Sequence, residues 1–259
     1  MTDDAHDDVA VLVCSLDEYA DVWPDFFSLW FRFWPDLPFA MHLVTNEYIY
    51  DDPRVRTLPV GVGIGWSHRM RRALEVLPQT YILFSTEDFF LYDKVDTSHL
   101  IRLYEDMRLE QAAYLRLMAH DIPYTPHPRL QQLGCVEKGT PYRGAGQLTF
   151  WNRRVLLATL QGDESAAEWE RQTTARTEEM EAPFLTVREG VAPIKYHNMI
   201  RAGKWNRDAV RDYAARGIGL RLSTRPVQNN FDIWWHTPSA SRRALSSCKH
   251  IALRAIGSR

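Results

Sequence analysis

Cysteine is scarce in this chain: Cys14, Cys135 and Cys248 are the only three in 259 residues, far apart and odd in number. They form no CxxC pair and no zinc-type spacing, so free thiols in a reducing compartment are expected rather than a disulfide scaffold. Long apolar runs are missing too, and none approaches the ~20 residues that a membrane-spanning helix needs. The opening stretch Met1–Asp8 is acidic and polar, unlike a secretory leader. A cytoplasmic location is the resulting expectation. Glycine-rich phosphate motifs are also lacking. Gly61-Val62-Gly63-Ile64-Gly65 has neither the GxGxxG spacing nor a Walker lysine and reads as a flexible loop. There is no excess of positive charge either. The net charge is −2, which argues against a nucleic-acid partner, since duplex binding needs several phosphate-neutralising cations.

What remains is an ordinary globular balance, with 45% hydrophobic and 25% charged residues. Aromatic residues reach 12%, including nine tryptophans, and flat apolar rings suit either a core or the C–H face of a sugar. Charge is unevenly placed. Residues 237–259 hold five basic side chains (Arg242, Arg243, Lys249, Arg254, Arg259) and no acidic one, so residues 1–236 carry −7. Leu245, Cys248, Ala252 and Ile256 in that tail follow helical spacing, the pattern of a short interfacial helix drawn to an anionic membrane surface.

Residues 9–118 alternate between apolar runs and amphipathic stretches. Val9–Cys14, Phe39–Val44, Val55–Leu58, Tyr81–Phe84 and Ala113–Met118 read as strands. Pro24–Trp34, Ser67–Leu77 and Ser98–Leu109 read as helices. This predicts an α/β fold with a mostly parallel, Rossmann-like sheet flanked by helices. From His120 to Gly146 periodicity disappears among four prolines, an irregular region that suits an acceptor side. Gln147–Trp151 resumes as a strand, Val155–Leu160 and Asp163–Gln172 as helices, Ala192–Tyr196 as a strand and Arg207–Arg216 as a last helix. The expected organisation is one catalytic domain over 1–236, with a nucleotide-binding half near 9–118 and an acceptor half near 119–220, followed by the basic tail 237–259.

Ligands of such sheets bind beyond the carboxyl ends of the strands. That places Ser15-Leu16-Asp17, Thr45-Asn46-Glu47 and Thr86-Glu87-Asp88 along one rim. The adjacent carboxylates Glu87-Asp88, ending a strand, are the sharpest local signal. A hard divalent ion held by one or two carboxylates stabilises a diphosphate leaving group. An exposed turn with Asp88 as a cap is the plainer reading of the pair alone.

The order of blocks adds to this. Val11-Leu12-Val13-Cys14-Ser15 is followed by Tyr19, Trp23, Phe26-Phe27 and Phe33-Trp34-Pro35-Asp36. Next come Trp66-Ser67-His68-Arg69-Met70 and Tyr81 through Leu91, and later Gln147–Trp151, Glu164 through Glu170 and Gly203-Lys204-Trp205. Over roughly residues 9–220 this resembles bacterial glycosyltransferases of the GT-A type, which implies a nucleoside diphosphate sugar as donor and a glycan or lipid-linked glycan as acceptor, in surface polysaccharide assembly. The resemblance puts Ser15 and Asp17 at the nucleobase and ribose, Asn46 in the same donor site, and Arg69 and Lys204 at the donor phosphates. Glu87 and Asp88 stand where the family carries its DXD motif, here without its second Asp at the required spacing. Asp88 with His197 is the expected ligand set for Mn²⁺ or Mg²⁺. Glu164, with Glu168 one turn on, occupies the place of the general base that takes the acceptor's hydroxyl proton. Tyr142, Arg143, Gln147, Trp151 and Trp169 are the expected acceptor contacts. A sugar nucleotidyltransferase is weaker because Ser15–Tyr19 is acidic where that class carries a basic, glycine-rich loop. A non-catalytic nucleotide-sugar or glycan binder also fits the incomplete DXD. A transferase acting on modified phage DNA shares the fold logic, but the acidic body disfavours it.

Overall fold

The computed structural model describes residues 7–119, 122–222, 225–230 and 232. The basic tail and Cys248 lie outside the described residues. The chain divides into two compact units, residues 1–197 and 198–259.

The first unit is built on a nine-stranded sheet of order β3-β2-β1-β4-β9-β6-β10-β8-β7. β1 (Val9–Cys14), β2 (Ala40–Thr45), β3 (Val55–Pro59) and β4 (Tyr81–Thr86) form a parallel block. β5 (Phe89–Leu91) follows β4 directly and stands outside this sheet. β6 (Tyr114–Arg116), β7 (Thr125–Pro126), β8 (Leu133–Cys135), β9 (Thr149–Asn152) and β10 (Phe184–Val187) complete it. β9 runs antiparallel between β4 and β6, and β8 antiparallel between β10 and β7; the other seven strands share one direction. The mostly parallel α/β class is therefore observed. Both faces are covered, which is why β1 reads as an unbroken apolar run.

Alternation within β1 divides the core between these faces. Ala10, Leu12 and Cys14 face one cluster with Met70, Ala73 and Leu74 of α2 (Trp66–Glu75), Leu156 of α4 (Arg153–Thr159) and Trp169 of α5 (Ala166–Arg176). α1 (Trp23–Phe33) and α3 (Thr97–Leu109) lie over the other face. There Tyr104 packs edge-on against Tyr81 and close to Phe150, and Phe26 and Trp30 stack along α1 toward Phe90. Gly65 caps α2, and the Ser67 hydroxyl in its first turn donates to the Glu164 carbonyl at 3.3 Å.

The irregular stretch 120–146 contains β7 and β8, and the expected strand Ala192–Tyr196 is replaced by β11 (Tyr196–Asn198). Pro193 has no ladder donor. In the second unit, β12 (Ile200–Arg201) and β13 (Lys204–Trp205) form a hairpin before α6 (Arg207–Ala215).

Candidate functional site

The carboxyl ends of β1, β2 and β4 carry the expected residues, but most of them bond to the protein itself. Asp17 uses both carboxylate oxygens on backbone: Oδ1 accepts from Asn46 N–H at 2.8 Å, and Oδ2 from Glu47 and Tyr48 N–H at 2.9 and 3.2 Å. Asp17 N–H donates in return to Asn46 Oδ1 at 3.1 Å, and Asn46 Nδ2 to Gly61 O at 3.3 Å. This reciprocal lock ties together the loops after β1, β2 and β3. Ser15 is buried, and its hydroxyl accepts from Trp23 Nε1 at 2.8 Å.

Arg69 differs. It lies in the first turns of α2, only 7% exposed, with Nη1 at 3.5 Å from Ser15 O and Nε buried without a hydrogen-bond partner. Beside it sits Cys14, whose thiol is pushed up to about 12 by burial; Arg69 opposes that rise and Glu87 adds to it. Arg69 and Glu87 therefore share one buried neighbourhood at the end of β1. Asp88 stands at the β4–β5 corner, its Oδ1 accepting from the Thr86 hydroxyl at 2.5 Å.

Asp88 and His197 are the expected metal ligands. No group of three His, Cys, Asp or Glu side chains able to hold a metal occurs among the described residues. The His197 ring stacks on Tyr92 at 4.5 Å. Lys204 belongs to the second unit, where Nζ pairs with Asp232 at 2.6 Å.

The expected base is also occupied. Both Glu164 oxygens meet Arg176, at 2.6 and 2.9 Å, and Oε1 also accepts from Gln161 N–H at 3.0 Å. Burial would raise its pKa, but the Arg176 and Gln161 hydrogen bonds outweigh this and hold the carboxyl below its ordinary value. Glu168 closes a capping box with Ser165 on the solvent side of α5. Both acids thus bond within the protein, Glu164 from just outside α5, which begins at Ala166, and Glu168 from its first turn. Trp151 and Trp169 are fully buried in the core, 6.0 Å apart, with no open ring face for a sugar. Arg143 is likewise internal, donating to Val136 O and Thr177 O and lying 4.2 Å over the Phe184 ring.

A second polar cluster lies around residues 145–148, where the chain enters β9. Glu170 Oε1 accepts from Gly146 N–H at 2.6 Å. Tyr114 at the start of β6 is buried; burial raises its pKa, with Glu170 adding to the rise, and its hydroxyl engages the Ala145 backbone. Arg116, 3% exposed, donates from Nε to Tyr114 Oη at 3.2 Å. Tyr196, pushed up to about 12 by burial, bonds the Leu148 backbone and feels Tyr114, Asp88 and Arg116. The carbonyl oxygen Gln147 Oε1 is buried without a partner. Glu170, Arg116, Tyr114 and Tyr196 are site candidates that sequence reasoning passes over. A guanidinium inside the expected strand Ala113–Met118 is the signal that could have found them.

No family model matches this sequence, and no curated protein does. Among solved structures it is similar to S. aureus TarS 1–349, at 11% identity and a TM-score of 0.43, over 69% of this chain and 59% of that one. A mycobacterial protein aligns at 14% identity and a TM-score of 0.44, over 82% and 76%. UTP-bound UGPase from Acinetobacter baumannii aligns at 10% and 0.41, over 73% and 87%. The chain thus spans little more than half the length of TarS 1–349. The α/β class rests on the strand order and directions described above.

Proposed function

We propose that this protein is a transferase that binds a nucleoside diphosphate sugar at the rim of β1 and β4 and moves its sugar to a glycan or glycolipid acceptor over residues 140–148. The observation that carries this reading is Arg69, a guanidinium that is 7% exposed with an unpartnered Nε. A buried cation with an open donor calls for an anion, and a guanidinium pairs forked with phosphate oxygens. The resemblance to GT-A enzymes supports the same choice of ligand.

In this reading Glu170, rather than Glu164, takes the proton of the acceptor hydroxyl. Its Oε1 is held by Gly146 N–H, which fixes the carboxylate while leaving Oε2 to accept. Tyr196 feels both Asp88 and Arg116, and Tyr114 feels both Glu170 and Arg116. A non-catalytic sugar-nucleotide binder is the second reading, favoured by the engagement of Glu164 and Glu168 in structural bonds.

The test is calorimetric titration with UDP-, GDP- and dTDP-sugars, with and without Mn²⁺, on the wild type and Arg69→Met. Micromolar-to-millimolar binding weakened at least tenfold by the substitution is expected. Failure of every sugar nucleotide to bind the wild type sinks the transferase reading. Binding without any hydrolysis or transfer leaves the binder.

A further inference from the structure

Three described residues other than glycine have left-handed backbone: Gln111 (φ 53°), Tyr142 (φ 57°) and Ala202 (φ 49°). Two of them have local reasons. Gln111 follows the end of α3. Ala202 precedes Gly203 (φ 73°) in the two-residue turn of the β12–β13 hairpin, where positive φ at both places matches the strand twist. Tyr142 also sits in a turn, but there the residue is a bulky aromatic. The turn Thr140–Arg143 is closed by Arg143 N–H to Thr140 O at 3.1 Å, with Pro141 in second place and positive φ in third. That pattern asks for glycine or asparagine at the third place, and a tyrosine there is strained.

Strain of this kind persists only where the surroundings over-determine it, and it gathers at ligand sites. The surroundings of Tyr142 do so from both sides. Its N–H donates to Thr174 Oγ1 at 3.0 Å, and its carbonyl accepts from Arg116 Nη2 at 2.8 Å. Arg116 is itself buried and anchored on Tyr114 Oη. The neighbouring chain is laid along α5 by Thr174 Oγ1 to Thr140 O and Thr173 Oγ1 to Gly144 O. The Tyr142 ring, by contrast, belongs to a residue that is 49% exposed and makes no aromatic contact among the described residues. The fold grips the backbone with a buried guanidinium and leaves the side chain outside. Glycine would serve the turn better, and what the tyrosine adds in its place is a ring presented at the surface.

We propose that Tyr142 is an aromatic platform for a pyranose ring of the acceptor, and that Arg116 is the residue that positions it. A half-exposed tyrosine offers a flat apolar face with a polar tip, which matches the C–H face and rim hydroxyls of a sugar. The identification of that sugar as an acceptor rests on the transferase reading; the platform itself does not. Tyr142 is two hydrogen bonds from Tyr114 Oη, through Arg116, and so borders the Glu170 cluster.

The test compares wild type, Tyr142→Asn, Tyr142→Phe and Arg116→Gln in thermal melts, UDP titrations and saturation-transfer NMR with maltotriose, cellotriose and chitotriose. Asparagine accepts left-handed backbone, so Tyr142→Asn is expected to keep or raise Tm while weakening the best saccharide at least fivefold, with UDP affinity unchanged within twofold. Phe is expected to keep saccharide binding. Arg116→Gln is expected to weaken it, with no further loss when combined with Tyr142→Asn. A fall in Tm of several degrees in Tyr142→Asn would mark the ring as packing and overturn the proposal. Unchanged saccharide affinity in that variant, or no saccharide signal from the wild type, overturns it as well. Absence of sugar-nucleotide binding is a separate result that strikes the transferase reading alone.

Discussion

The two sides of the candidate site are held in opposite ways. After β1, β2 and β3, the loops are fastened directly to one another, the Asp17 and Asn46 side chains accepting from backbone N–H groups of the neighbouring loop. Residues 140–148 are instead held by side chains that come from helices and strands: Arg116 from β6, Glu170, Thr173 and Thr174 from α5, and Tyr196 from β11. The first side is finished before any ligand arrives, apart from Arg69. The second gathers titratable groups with capacity to spare. Shape is built on one side and chemistry on the other.

The sharpest way to break this contrast is to exchange the fates of two acids on the same stretch. Glu170→Gln removes the proposed base and is expected to lower turnover of sugar nucleotide by roughly 10²–10⁴-fold, with little change in Tm. Glu164→Gln strips a largely buried partner from Arg176 and is expected to cost roughly 3 kcal/mol in denaturant unfolding while leaving residual turnover in the folded fraction. The Glu164 carboxyl lies below its ordinary value in the fold. Its stabilisation is therefore present above its unfolded pKa, about 4.3, and is lost as pH falls through the lower folded value. The gap in stability between wild type and Glu164→Gln should close below about pH 4. A turnover loss in Glu164→Gln as deep as that of Glu170→Gln, at equal folded fraction, would return the base to Glu164.

A smaller effect probes the fastened side. Asp17→Asn keeps the shape of the side chain but replaces one acceptor oxygen and removes the charge from three N–H contacts. A loss of about 2 kcal/mol is expected, since hydrogen bonds to charged groups contribute roughly 1.5–3 kcal/mol each and only part is forfeited. Unfolding in urea measures it. Full stability combined with a collapse of UDP affinity would show that Asp17 serves the ligand instead of the loops.

The contrast also explains what can be read from the chain. β1 to β4 and α1 to α3 are legible because each is a local pattern: apolar runs covered on two faces, or an apolar stripe at helical spacing. β9 is legible as a strand but not in direction, since antiparallel insertion between β4 and β6 depends on partners far away in sequence. β7, β8 and β10 span two to four residues, too short to show alternation. The rim carrying Ser15, Asp17 and Glu87 follows from strand ends alone. Glu164 misleads because its role depends on Arg176, twelve residues on, and on Ser165 starting the helix one residue later. Tryptophan content suggests sugar platforms at Trp151 and Trp169, whereas both rings complete the core that α5 closes.

The smallest expected effect concerns Cys14, the last residue of β1. Its thiol is buried and pushed up to about 12 by that burial, with Glu87 adding to the rise and Arg69 only opposing it. Thiolate is the reactive form, so at pH 8 the native protein should leave Cys14 unlabelled by iodoacetamide, as read by peptide mass spectrometry, while the unfolded chain labels it in minutes. Half-buried Cys135 provides an internal reference in the same digest. Removing Arg69 withdraws the neighbouring charge that, among the described residues, favours thiolate, so Arg69→Met should leave Cys14 equally inert although donor affinity falls. Rapid labelling of Cys14 in the folded Arg69→Met protein would mean that Arg69 holds the end of β1 closed by packing, and the guanidinium would then belong to the fastened side, with no donor left over for a phosphate.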